Sequence, residues 1–214
     1  MQNILDVYER YHIMPSLQEH MLRVAAVASL ICDSWQGEEI DKQSIVMACL
    51  LHDMGNIIKF RFNLPEDEHN PDIGHWRTVR QEFIDKYGTN EHHATLEIAK
   101  ELGQSETVLS YIDGVGHDKF GEQIPLGDMG IKIVNYADTR VAPQGVVSYQ
   151  VRMDDVLVRY RTHPQFIGEA AHAEMVSHGY QVEAQIFEQV DIKPEDVTNE
   201  AVSTIVEKLK QHQV

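Results

Sequence analysis

The stretch Ile45-Val46-Met47-Ala48-Cys49-Leu50-Leu51-His52-Asp53-Met54-Gly55 decides the fold. Its apolar run reads as a buried helix, capped upstream by Asp41, running to His52-Asp53 and stopped at Gly55. The acid at its end breaks a local rule. A helix C-terminus carries partial negative charge, so an Asp in the last turn costs about 0.3–1 kcal/mol there. A bound cation would reverse the sign of that cost. The neighbouring imidazole supplies a second metal ligand of complementary kind.

Outward from this segment the pattern stays helical. Pro15-Ser16-Leu17-Gln18-Glu19 has the S-x-x-E spacing of a capping box, which places His20 in a first helical turn. Leu17, Val24, Val27, Ala28 and Ile31 follow as a core-facing stripe. Residues 59–75, with Pro65, Pro71, Gly74 and several acids, read as an irregular loop that could serve as a lid. Helices are expected over Trp76–Tyr87, over His92–Leu102 behind an Asn90 cap, and over Glu106–Asp113 behind a Ser105 cap. Gly114–Gly130 reads as loop or short turns, and Ile131–Arg140 as a second buried helix. Beyond it come a charged helix over 150–162, a helix from Pro164 to Gly179 and another over 180–189. A last amphipathic helix after Pro194 has Val202, Ile205, Val206 and Leu209 on one face. No hairpin signature, repeat or low-complexity tract is visible. The expected architecture is an all-α, single-domain helical bundle. Residues 1–145 form the core, and 146–214 a helical extension packed on it.

The chain has 214 residues and a hydrophobic fraction of 43%, enough for one sizeable core. Its net charge of −16 argues against an extended nucleic-acid partner, which needs clustered Lys and Arg. Cys32 and Cys49 lie in apolar stretches and read as buried thiols of a reducing compartment. No signal pattern or membrane-length apolar run is present, so the expectation is a cytoplasmic protein with no membrane partner. A homodimer through the C-terminal helices is left open.

Of twelve histidines, His12, His163, His172, His178 and His212 sit in polar contexts and read as solvated or capping. Four positions stand apart: His20, His52-Asp53, His92-His93 and His117. Asp138, ending the run Ile131-Lys132-Ile133-Val134-Asn135-Tyr136-Ala137-Asp138, is a second carboxylate at the end of an apolar helix. Buried charges are costly unless paired or metal-bound, so Asp53 and Asp138 together invite a shared cation.

The ordered set His20, His52-Asp53 and Asp138, with Ala48-Cys49-Leu50-Leu51-His52-Asp53-Met54-Gly55 around the pair, resembles the HD-domain superfamily of metal-dependent phosphohydrolases. The resemblance covers roughly residues 16–140. It implies hydrolysis of a small phosphate ester such as a nucleotide. It also implies two divalent transition metals, with Mn, Fe, Co, Ni and Zn not distinguished. His20, His52, Asp53 and Asp138 would hold one ion. Asp53, one of His92 and His93, and His117 would hold the other. Two such ions about 3.5–4 Å apart generate a hydroxide in line with the phosphorus.

Charge developing on the phosphoryl oxygens needs cations, for which Lys59, Lys119, Arg140, Arg152 and Arg159 are candidates. Lys119 and Arg140 join Asp53 as the expected catalytic groups. Asn56 stands where some mononuclear HD nucleotidases carry an acid, and its amide cannot act as a base. That favours the dinuclear form. Two alternatives remain. One is an HD-type di-iron oxygenase, whose approach to its first ligand Leu17-Gln18-Glu19-His20 slightly resembles. The other is a non-catalytic regulatory HD module.

Overall fold

The computed structural model describes residues 2–62, 72–161 and 166–214. The described residues form an all-α bundle with one minute hairpin. In chain order the helices are α1 (Ile4–Arg10), α2 (Pro15–Asp33), α3 (Lys42–Leu51), α4 (Ile73–Tyr87), α5 (Glu91–Glu101), α6 (Glu106–Asp113), α7 (Phe120–Gln123), α8 (Met129–Thr139), α9 (Tyr149–Tyr160), α10 (Glu169–Phe187) and α11 (Asn199–Leu209). Short 3₁₀ turns cover Asn56–Lys59, His117–Lys119 and Pro194–Asp196. No helix of the described residues is long and apolar enough to cross a membrane.

α3 is the hub. From Ser44 to Leu51 every residue is buried, because α2, α6 and α8 all pack on it. A helix walled in on all sides has no use for a polar face, which is why its sequence reads as an unbroken apolar run. Its last carbonyls are each satisfied. His52 Nδ1 lies 2.8 Å from the Cys49 carbonyl, the buried Tyr8 hydroxyl donates to Leu50 at 2.7 Å, and the Met54 N–H donates to Leu51 at 3.2 Å.

Several expected boundaries move. α2 opens on Pro15 at its first position with Met14 as an uncapped N-cap, so Ser16 and Glu19 form no capping box. Proline's fixed φ and missing N–H suit that position and start the helix two residues earlier. His20 is therefore in the second turn, and Glu19 pairs with Arg23 at 3.2 Å instead. α3 ends at Leu51 with His52 as C-cap, leaving Asp53 in the turn beyond the helix. Gly55 keeps an ordinary right-handed φ of −89°. Its lack of a side chain matters for space, since a Cβ there would run into the Glu91 carbonyl and lie 2.8 Å from Ala94 Cβ and Thr95 N.

α4 starts at Ile73, before Trp76, and most of the expected lid loop, 63–71, lies outside the described residues, as do His163 and Pro164. The capped starts at Asn90 and Ser105 are present, as is the stop at Gly88 with φ +85°. α10 runs unbroken through Gly179, where the sequence suggested two helices. Gly179 is there for close packing, because a Cβ would overlap the Tyr149 hydroxyl. The hairpin Val141–Ala142 with Gly145–Val146 was not expected; two-residue strands leave no alternation to read. His172, expected to be solvated, is buried.

The segment after the hairpin is tied to the bundle at several points. α11 packs along α2, Asn199 bonds the Val146 backbone at 2.8 Å, and Gln36 N–H donates to the Gln189 carbonyl at 2.7 Å. Both chain ends meet where Ile4 N–H donates to His212 and Val214 N–H donates to Gln2, each at 2.9 Å.

Candidate metal centre

Three elements converge at the end of α3. α2 brings His20 from its second turn, the α3 terminus brings His52 and Asp53, and α8 brings Asp138 from its last turn. His20 Nε2 lies 3.0 Å from Asp138 Oδ1 and 3.5 Å from Asp53 Oδ2. His52 Nε2 lies 3.3 Å from Asp138 Oδ1 and 3.8 Å from Asp53 Oδ2. Donor atoms of His20, His52 and Asp53 all fall within 4.8 Å of one another. Two ligands at about 2.1 Å from one ion, set near a right or tetrahedral angle, are about 3.0–3.4 Å apart. The spacing thus fits a single cation.

The orientation of His52 makes the same case. Its side chain is 1% exposed, and its Nδ1 sits against the Cys49 carbonyl, so Nδ1 carries the proton. That leaves a lone pair on Nε2, which is buried with no hydrogen-bond partner. A lone pair aimed at two carboxylates is repelled by both, so this nitrogen takes up a cation, either a proton or a metal ion, which satisfies all three. A backbone carbonyl holding the far nitrogen of a metal-binding His is the usual orienting device.

The electrostatics agree. Burial pulls the His52 pKa down, but Asp53 and Asp138 outweigh it and push the value up to about 9. Burial alone would raise the Asp138 pKa. His20 and His52 reverse that and hold its carboxyl well below the usual range. The pocket therefore carries a negative potential that attracts a cation. His20 and Asp53 are each 20% exposed, which leaves one side of the centre open.

The turn after Asp53 is held by a residue the sequence did not single out. Gly55 N–H donates to Thr95 Oγ1 at 3.0 Å, and that hydroxyl donates to the Glu91 carbonyl at 2.9 Å. The first turn of α5 is thereby clamped to the turn carrying the pair. A Thr on a helix face gives no sequence signal for this role. Asn135 was also missed. It accepts from Gly116 N–H at 2.9 Å and donates to the Gly116 carbonyl at 3.0 Å. Asn135 and Asp138, three apart on α8, face the same way, so the turn carrying His117 is held one helical turn from Asp138.

The remaining candidates fall into two groups. His117 Nε2 is buried without a partner, and burial lowers its pKa despite the nearby Asp138. His92 Nε2 lies 2.9 Å from Asp113, and His93 is exposed; neither joins a metal-sized cluster among the described residues. Lys119 is half-buried two residues past His117, while Lys59 and Arg159 are exposed. Arg140 is not at the site. It is 2% exposed, and its guanidinium donates to the Val147, Pro194 and Val197 carbonyls and to the Tyr136 hydroxyl. Four of its five N–H donors are committed to these buried oxygens, and its burial keeps it from a substrate. It is a structural clamp.

The family model for the HD domain matches residues 17–139. The chain belongs to the HD-domain family. The matched segment of this HD-domain chain opens three residues before His20 and closes one residue after Asp138. No curated protein and no solved structure gives a match.

Proposed function

We propose that this HD-domain protein is a metal-dependent phosphohydrolase acting on a small phosphate ester such as a nucleotide. The observation that carries the proposal is the orphaned, carbonyl-oriented lone pair of His52, set beside His20, Asp53 and Asp138 at single-ion spacing. A divalent ion held there supplies a water activated near neutral pH and a Lewis acid for a phosphoryl oxygen. The protein's part is to fix the ligands, leave one face open, and place cations where charge develops on the phosphoryl group. His52 is locked by burial and by the Cys49 carbonyl. Lys119, in the turn beside His117, faces the role of neutralising the phosphoryl oxygens.

In the dinuclear form, Asp53 and His117, with His92 or His93, would hold a second ion. His117 offers a free buried nitrogen for this. His92 is the better of the adjacent pair, since Asp113 on Nε2 leaves Nδ1 as its lone-pair nitrogen. The oxygenase alternative draws nothing from Glu19, whose side chain is 67% exposed and paired with Arg23.

The test is phosphate release from a panel of nucleotides and sugar phosphates, with chelator and with added Mn²⁺ or Fe²⁺. Metal-dependent release is expected. Oxygen consumption without phosphate release, or no turnover with a full metal complement, would overturn the reading. Metal analysis after gel filtration separates the forms: two equivalents in the wild type falling to one in His117→Ala supports the dinuclear one.

A further inference from the structure

α9 lies outside the segment matched by the family model, yet it starts against Phe120, the residue that follows the turn carrying His117. The hairpin begins three residues after Asp138, and Arg140 fixes its exit through the Val147 carbonyl at 2.5 Å. Ser148 then caps α9, so the helix starts beside the end of α8 where Asp138 sits. Tyr149 packs edge-on against Phe120, with ring centroids 5.9 Å apart, and Phe120 directly follows the His117–Lys119 turn. Arg152 is three residues on and shares that side of α9.

The Arg152 side chain is only 14% exposed, and its Nε is buried with no partner. Its ion pair with Asp155 is long, at 3.4 Å, and Asp155 is more closely held by Arg159. A guanidinium N–H buried without an acceptor costs about 1–3 kcal/mol, so a purely structural Arg is poorly accounted for here. His117 Nε2 is a second unpartnered buried atom in the same corner. Besides burial, the charges acting on the His117 ring are Asp138, Arg152, Asp118 and Lys59, so Arg152 lies within electrostatic range of it.

We propose that Arg152 is the anion-recognition residue of this site, its guanidinium receiving the phosphoryl oxygens of a phosphate monoester bound at the metal centre. The inference rests on the phosphohydrolase reading for its substrate, but not for its chemistry. Arg presents a planar fork that matches two phosphate oxygens, and a phosphoryl oxygen is the acceptor that Nε lacks. The substrate class is accordingly an ester with a terminal phosphate dianion, in preference to a diester.

The test is calorimetric titration of inorganic phosphate into the Mn²⁺-loaded full chain. Arg152→Gln should weaken phosphate binding about 10- to 100-fold, the worth of a charge-assisted hydrogen bond, with Mn²⁺ stoichiometry and helical circular dichroism unchanged. Arg152→Lys keeps charge and stem, and should bind phosphate more weakly than wild type but more tightly than the Gln variant. Wild-type affinity in Arg152→Gln, or no phosphate binding by the wild type, overturns the inference. Esters turned over with a KM indifferent to Arg152 remove it and leave the phosphohydrolase reading intact. Arg152-dependent phosphate binding without turnover of any ester does the reverse.

Discussion

Stripping the metal should make the protein's stability fall as pH rises, the opposite of its metal-loaded behaviour. In the chelated protein a proton replaces the cation on His52. The folded value of about 9 stands above an unfolded value near 6.5. The folded state therefore binds more protons than the unfolded state between these values, and stability declines with pH there. The contribution is fully present below about pH 6.5 and is lost as pH climbs through about 9. The interval from about 6.5 to about 9, at 1.36 kcal/mol per tenfold change in proton affinity, corresponds to about 3 kcal/mol. That is a large share of the ~5–15 kcal/mol that holds a domain folded.

The assay is the urea midpoint in excess EDTA, stepped from pH 6.5 to 9.5, and repeated with Mn²⁺. With chelator the midpoint should fall across the range. With metal, protons no longer compete, and the stabilisation by Mn²⁺, about 2.7 kcal/mol where the free ion is at a hundredfold excess over Kd, should grow with pH as Kd falls. Asp138→Asn should flatten the chelated curve, because it removes the carboxylate 3.3 Å from His52 Nε2. A chelated midpoint that is level or rises from pH 6.5 to 9 would refute the negative pocket on which the metal centre is argued.

Asp53→Ala should abolish metal retention and any turnover while leaving the helical spectrum intact, since the side chain is partly exposed and lies beyond the helix it follows; metal analysis and circular dichroism check both. Arg140→Lys should cost about 2–3 kcal/mol of stability, by loss of hydrogen bonds to buried carbonyls, with Mn²⁺ stoichiometry unchanged. Gly55→Ala should destabilise by about 1–3 kcal/mol or more in thermal unfolding, because the new methyl forces α5 away from the turn. Tyr149→Phe removes a buried hydroxyl that has no partner, so it should leave the melting temperature unchanged or raise it.

What could be read from the sequence followed from how many neighbours dictate a residue. α3 is packed on all sides, so its apolar run and its capping Asp41 could not be mistaken. The polar residues that end such a helix stand out for the same reason, and His52, Asp53 and Asp138, which the fold brings together, were singled out by that contrast. His20 was found despite a wrong local reading, since the supposed capping box at Ser16 is a proline start. Arg140 was misread because a cation near a carboxylate in sequence looks the same whether it faces a substrate or four backbone and side-chain oxygens. Its partners at Val147, Pro194 and Val197 come from loops whose positions no local pattern specifies.

The same limit explains why the cation side of the site was the least legible. Metal ligands announce themselves by residue type and by lying where burial makes a charge expensive. A phosphate-binding Arg does neither: on α9 it is one of several charges on an amphipathic helix, and the sequence offers Arg152 and Arg159 on equal terms. The fold breaks the tie. Arg159 is exposed and paired with Asp155, whereas Arg152 shares the face of Tyr149, which packs on Phe120 beside the His117 turn. Of the two, it is Arg152 whose Nε has been taken out of water without being given an acceptor.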